Sequence, residues 1–434
     1  MVEKAPELGS VSPDILDVLT DSSYQSVLET IEKKYLYWDK AKYYVPKGLD
    51  SKIFWSAVRF QRLSRSKFLK FGAYNLSFYE TSHIQQLLHE FDMNFGGTLI
   101  SSNLLSEKNR RQYLLSSIME EAIASSQMEG ASTTRKVAKE MLKKQLRPKD
   151  TSQQMILNNY NTIRFLSEHR EEKLTPELIL EIHRQIAEKT LENSDDEGRF
   201  RLDDSICVMN GITGEVAYEP PSHTKISGMI KSICKFANDD ENYIHPIVKA
   251  VIIHFMISFL HPFVDGNGRT ARSLFYWFML KKGYWLTEFL SISRIIYRSK
   301  AQYEKAFLYT ESDGNDLGYF IQYNLEVLKK SYGELQKYLE RKSSEQNALL
   351  EFKEIPGLNE RQAKIVKTYV EKPNSIFVSK DFETTFNVSV KTIRSDLEEL
   401  VKMGILETVP MNRRLVGYAR SKDFEFILME NRGN

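Results

Sequence analysis

The chain has 434 residues, with 60 Lys and Arg against 58 Asp and Glu, so it lacks the global field that marks a nucleic-acid or membrane-surface binder. Its two cysteines, Cys207 and Cys234, exclude a disulfide framework and a cysteine-rich zinc site, and fit a reducing cytoplasm. The start, Met1-Val-Glu-Lys-Ala-Pro-Glu7, is neither basic nor apolar, and no run of about 18 apolar residues occurs, so a cytoplasmic protein without membrane contact is expected, with two to four domains at roughly 150 residues each.

Residues 1–105 read as a helical N-terminal extension, with helices at Tyr24–Lys34, Ser51–Ser66 and Ile84–Phe91; Tyr35, Tyr37, Trp38, Tyr43 and Tyr44 read as core packing. Residues 106–150 centre on a helix from Arg110 to Gly130, with Leu114, Leu115, Ile118, Met119, Ala122 and Ile123 on its apolar face and Gly130 where a C-terminal cap belongs. Glu129 is misplaced there. A carboxylate at a helix C-terminus opposes the macrodipole, so a buried Glu129 needs a cation, and Ser125 shares its face.

Residues 131–200 read as helical, including a proline-initiated helix at Pro176–Glu188. The clearest strand signal is Ser205–Met209, followed by turn residues Asn210, Gly211, Thr213 and Gly214 and then Glu215–Tyr218, which together predict a short hairpin. Ile247–Leu260 then carries apolar residues at three- and four-residue steps, and Pro262 closes that helix. Arg269–Lys282, apolar nearly all round, reads as a second buried helix. Between them lies His261-Pro-Phe-Val-Asp265-Gly-Asn-Gly-Arg-Thr-Ala-Arg272.

The chemistry of that stretch follows from its residue types. Gly266, Asn267 and Gly268 can turn successive amides toward one anion at the start of a helix. Arg269 and Arg272 lie in the first turn, where both guanidinium groups are expected to reach that anion. Asp265 is placed to hold Mg²⁺ against phosphate oxygens. His261 is the side chain suited to take a proton near neutral pH.

As a set, these residues resemble the signature of the Fic family, His-Pro-Phe-x-Asp/Glu-Gly-Asn-Gly-Arg-x-x-Arg, with every specified position matched. The resemblance implies transfer of AMP from ATP to a hydroxyl side chain of a target protein, which could be the enzyme itself. It assigns His261 as the base, Asp265 as the Mg²⁺ ligand, and Gly266, Asn267, Gly268, Arg269 and Arg272 as the nucleotide site. Ser125-Ser-Gln-Met-Glu129-Gly130 resembles the family's inhibitory motif, in which the glutamate pairs with the second arginine of the signature. Gly198-Arg199-Phe200-Arg201 resembles the element leading into the family's flap, and Ile206, Cys207, Val208 and Met209 would then bind an extended piece of the target as an added strand. Removal of AMP, with Glu129 positioning water, stays open, as does a homodimer.

Residues 151–335 are therefore expected to be the catalytic core, closed by helices at Tyr303–Phe307 and Asn315–Phe320, with Tyr303 bordering the adenine. A charged helix from Asn324 to Asn347 leads through a linker, 336–357, into a module at 358–434. Helices at Gln362–Val370, Val378–Phe386 and Ser389–Met403, then strands Ile405–Val409 and Leu415–Ala419 around Asn412-Arg413-Arg414, look like a winged helix-turn-helix. Lys391 and Arg394 on the third helix suit DNA, whereas Asp396, Glu398 and Glu399 suit a protein partner, which leaves a nucleotide-sensing DNA-binding regulator as an alternative. The expected fold class is mainly α: a Fic-type helical core with a β-hairpin flap, an N-terminal helical extension and a C-terminal winged helix-turn-helix.

Overall fold

A computed structural model describes residues 2–8, 12–96, 107–209, 214, 216–353, 355, 357–386, 388–411 and 415–430. The protein is mainly helical and divides into two compact units, Met1–Leu335 and Gln336–Asn434.

The first unit is built on two helices, Pro246–Leu260 and Asn267–Lys281, buried along almost their whole length. Their sequences are apolar on every face, which suits helices with protein on all sides rather than one. Pro246 opens the first core helix, where its missing amide costs nothing, and the His245 side chain accepts from Ile247 N at 3.3 Å. His261 ends that helix in the left-handed conformation (φ 49°), and Gly266, also left-handed (φ 82°), starts the second. Helices Glu107–Met128, Thr151–Glu168 and Pro176–Ala187 pack against the second core helix. The last two are capped by the side chains of Asp150 and Thr175. Among the described residues, no helix is long and apolar enough to cross a membrane.

The N-terminal region is not wholly helical as expected. Helices Gln25–Lys34, Ser51–Arg65 and Ser82–Phe91 form, but between the last two runs an antiparallel hairpin, β1 (Lys67–Phe71) and β2 (Tyr74–Phe78), turning at Gly72 with φ 61°. Aromatics at Phe68, Phe71, Tyr74 and Phe78 favour strand, and a single glycine was enough for the turn. Tyr35, Tyr37 and Trp38 are core, whereas Tyr43 is 77% exposed, contrary to expectation.

Asn315–Phe320 does not form a helix of its own. Asn315 is left-handed (φ 61°), and its carbonyl accepts from Ser77 N (3.1 Å), while Leu317 N donates back to Ser77 O (2.8 Å), so this stretch adds an edge contact to β2. One continuous helix then runs over Gly318–Lys353. Within the first unit, Leu325, Leu328, Tyr332 and Leu335 recur on it at helical spacing and are buried.

The second unit holds helices Glu360–Glu371, Ser379–Phe386 and Val390–Lys402, then antiparallel β5 (Leu406–Pro410) and β6 (Val416–Arg420), then a further helix, Phe424–Glu430. Asn359 and Gln362 form a capping box, and Ser389 caps the third helix. Ile365, Tyr369, Phe382, Leu397 and Tyr418 lie in one core of its own. Asn412, Arg413 and Arg414 lie outside the described residues.

The N-terminal region is tied to the core through a buried carboxylate. Tyr35 Oη donates to both oxygens of Asp316 (2.9 and 3.0 Å), and Gly318 N donates to Oδ1 (2.9 Å). Tyr35→Phe leaves that buried acceptor short of a donor and should destabilise the fold by about 1–3 kcal/mol, read as a lowered midpoint in thermal unfolding.

Candidate active site

The loop 261–268 is held in shape by side chains that never reach its mouth. Asn267 stitches it across: Phe263 N donates to its Oδ1 (2.9 Å), and its Nδ2 donates to Phe263 O (2.8 Å). His183, buried on the apolar face of Pro176–Ala187, stacks flat on Phe263 with ring centroids 3.7 Å apart. Gly198 N donates to its Nδ1 (3.0 Å), so the proton sits on Nε2 and is donated to the Asp265 carbonyl (2.9 Å). Burial lowers the His183 imidazole to about 4, which keeps this tautomer neutral. Sequence reading missed His183, although its position among Ile179, Ile182 and Ile186 was the signal.

Arg201 is a second brace. Its backbone amide donates to Pro262 O (2.9 Å) and its Nε to His261 O (2.9 Å). Its Nη1 donates to Asp203 O (2.6 Å) and Asp204 Oδ1 (2.8 Å), and its Nη2 donates to Pro221 O. One buried guanidinium therefore fastens the stems before and after the flap hairpin to the backbone of His261. The left-handed backbone of that histidine costs roughly 1–3 kcal/mol, which such clamping offsets.

His261 Nδ1 donates to Ser258 O (3.1 Å), leaving Nε2 as the atom free to accept a proton. Burial is the largest influence on the imidazole and lowers its pKa, so at neutral pH it stands ready as a base. It lines a cavity of about 350 Å³ together with Gly268, Arg272, Glu129, Tyr218 and Tyr303.

The two signature arginines do different things, contrary to the expectation that both reach an anion. Arg272 faces the cavity. Arg269 is fully buried, donating from Nη1 to Ile186 O (3.2 Å) and from Nη2 to Asp265 Oδ2 (2.9 Å). Its side chain turns into the packing of Pro176–Ala187 instead of toward the loop mouth, and there it braces Asp265. The Asp265 side chain is 51% exposed. Among the described residues, no group of three or more His, Cys, Asp or Glu gathers to hold a metal. A single accessible carboxylate does fit Mg²⁺, which takes one or two carboxylates and completes its shell with phosphates and water.

Arg272 meets the helix Glu107–Met128 at its C-terminus. Its Nε donates to Ser125 Oγ (2.9 Å), and its Nη2 donates to Ser125 O (3.0 Å) and Glu129 Oε1 (2.8 Å). This cation answers both the unpaired carbonyl at the helix end and the carboxylate beside it. Gly130, with φ 95°, turns the chain away. Burial pushes the Glu129 carboxyl up, but Arg272, with Arg269 and His261 adding to it, more than offsets this and holds the group below its ordinary value. A Cβ at Gly268 would collide with Glu129 Oε1, so the carboxylate lies against the first turn of the second core helix, where an anion belongs.

The first flap strand begins later than expected. β3 (Val208–Met209) pairs with β4 (Val216–Tyr218) across a register shift, and Ile206 and Cys207 precede the strand. The predicted turn residues Asn210, Gly211 and Thr213, and Glu215 after them, lie outside the described residues. Tyr218 Oη donates to Phe259 O (2.8 Å), which anchors β4 to the first core helix.

Residues 173–279 match the Fic/DOC family. The chain is 33% identical over 175 residues to protein adenylyltransferase fic-1 of Caenorhabditis elegans, covering 39% of this chain and 30% of that protein. It is 28% identical over 113 residues to protein adenylyltransferase Fic of Drosophila grimshawi, 26% of this chain and 21% of that one. The chain thus spans less than a third of the length of these relatives. In fold it resembles a Fic family protein from Desulfovibrio desulfuricans G20, with TM-score 0.51 and 16% identity over 78% of this chain and 94% of the other. It also resembles Fic-1 from C. elegans, with TM-score 0.50 and 18% identity over 76% and 88%.

Because Arg201 joins the flap stems to His261, Arg201→Ala strands several carbonyls at once. It should lower stability by at least about 2 kcal/mol in denaturant unfolding.

Proposed function

We propose that the protein transfers AMP from ATP to a Ser, Thr or Tyr hydroxyl of a target protein, and that Glu129 holds the enzyme off. The observation that carries this reading is the Glu129 carboxylate hydrogen-bonded to Arg272 against Gly268, inside the cavity that His261 lines. An anion already occupies the cradle.

In the open state, the amides at the start of the second core helix and Arg272 hold the phosphates, and Asp265 would hold Mg²⁺, which would supply neutralisation of charge on the phosphate oxygens. His261 Nε2 takes the proton from the target hydroxyl. That oxygen forms a bond to the α-phosphorus as the bond to the bridging oxygen breaks, and pyrophosphate leaves with the electron pair. Arg269 acts one step removed, by orienting Asp265. Val208 and Met209 on β3 and Ile206 and Cys207 before it offer the edge along which an extended target can lie, with itself as one candidate target. Release of AMP by water is the second reading, favoured by Glu129 and His261 lining one cavity; there, wild type rather than Glu129→Gly would free AMP from a modified protein.

Glu129→Gly should raise AMP transfer from labelled ATP at least tenfold, and His261→Ala should remove about 10²–10⁴ of the rate in that background. Unchanged transfer in either variant would count against the assignment. Because the Glu129 carboxyl is held below its ordinary value, the clasp persists above that range and loosens only as pH falls through the lowered value. Wild-type transfer should accordingly stay low from about pH 6 to pH 9.

For the second unit we favour a winged helix that contacts protein. Arg394 is paired with Glu398 (2.9 Å), and Asp396 is buried against Arg361 (2.7 Å), so its third helix offers few free cations. An electrophoretic shift with duplex DNA at low salt should show no band; a salt-sensitive shift would restore the DNA reading.

A further inference from the structure

Residues 135–149 carry seven Lys and Arg against one acid, Glu140, in a chain whose net charge is only +2. The stretch begins as the helix Arg135–Lys144, whose Ala138, Met141 and Leu142 are buried in one cluster with Met119 and Ile123 of the helix Glu107–Met128. That packing turns the lysines outward. Lys136, Lys143, Arg147 and Lys149 are exposed, and their side chains form no hydrogen bond or ion pair among the described residues. Val137 and Leu146 lie exposed among them, at 46% and 47%. Like charges gathered this closely repel one another, and a multivalent anion relieves the repulsion.

Two further cations of the same helix are already engaged, and with a carboxylate. Arg135 donates from Nε (2.8 Å) and from Nη2 to Glu120 Oε1, and Lys139 Nζ pairs with the same oxygen. Glu120 is buried on the helix Glu107–Met128, whereas the Arg135 side chain is 52% exposed. From Glu120 to Glu129 the chain makes about two and a half helical turns, so the two carboxylates face opposite sides. The helix is thereby pinned twice, by Arg272 on one face and by Arg135 and Lys139 on the other. Drawing the second pair of cations away leaves Glu120 buried without a counter-charge. That favours a helix turned to bring Glu120 to water, and the same turn carries Glu129 off Arg272.

We propose that residues 135–149 are a docking surface for an acidic segment of a partner protein, whose carboxylates take Arg135 and Lys139 from Glu120 and so loosen the Glu129 clasp. This rests on the reading of Glu129 as the group that holds the enzyme off. Carboxylates on a polypeptide suit the surface best. Arg135 and Lys139 already hold one, and Val137 and Leu146 offer contact to apolar side chains between the acids. The apolar face of the helix is used up in the core, so none is left to lie in a bilayer.

The test uses the full chain and a labelled Glu-rich peptide interrupted by single leucines. Fluorescence anisotropy should show binding that weakens with salt and falls at least roughly tenfold when Lys136→Glu and Lys143→Glu are combined, two changes at exposed side chains that leave every buried contact intact. In calorimetry, saturating peptide should tighten ATP binding to wild type at least about threefold and leave ATP binding to Glu129→Gly unchanged. Absence of peptide binding overturns the proposal, as does equal binding by the double variant or binding that leaves wild-type ATP affinity unaltered. Equal affinity for duplex DNA or for phosphatidylserine vesicles overturns it in favour of a general polyanion surface. If Glu129→Gly binds ATP no tighter than wild type, the inhibitory reading fails and the release step with it, a result separable from peptide binding, which needs no nucleotide.

Discussion

The contact between Glu129 and Arg272 governs the rest of the site. A carboxylate at a helix C-terminus is unfavourable by itself, and a guanidinium buried at the end of an apolar cavity is unfavourable by itself; together, at 2.8 Å, each removes the other's cost. Their meeting point is Gly268, where a side chain would exclude the carboxylate. The residue that would let phosphate approach the helix amides in the proposed reaction also lets Glu129 approach them. On the proposed reading, inhibition and substrate binding compete for one place, and separating the pair without a replacement anion leaves a buried charge costing about 3–5 kcal/mol.

Around this contact, four buried polar side chains serve rigidity. Asn267, His183, Arg201 and Arg269 never face the cavity as ligands. They fix the backbone of the loop, the tautomer and strain of its neighbours, and the direction of Asp265. Base catalysis and in-line displacement depend on such placement, because misplacing the base or the phosphate by about 1 Å costs about 10²-fold in rate. In the proposed reaction His261 supplies the proton acceptor, and the four braces decide where its Nε2 stands.

Much of this was legible in the sequence, for identifiable reasons. The two core helices are apolar on every face, so periodicity and Pro262 located them to within two residues. The Glu129 anomaly was visible as a carboxylate where a helix should end, and the demand for a cation followed from the macrodipole alone. What sequence could not give was direction. Arg269 and Arg272 look equivalent at three-residue spacing, but a helical turn points one at the cavity and the other at Ile186 and Asp265. The β1–β2 hairpin escaped notice because a lone Gly72 made its turn. Asn315–Leu317 reads as helix until its pairing with Ser77, far away in sequence, is known.

The central claim is that Glu129 occupies the anion site through Arg272, and nucleotide affinity tests it most directly. Calorimetric titration of ATP with Mg²⁺ into wild type, Glu129→Gly and Glu129→Gly with Arg272→Ala should show binding at least tenfold tighter in the single variant than in wild type, about 1.4 kcal/mol or more. The gain should vanish when Arg272 is also removed. Equal ATP affinity in wild type and Glu129→Gly would contradict the account.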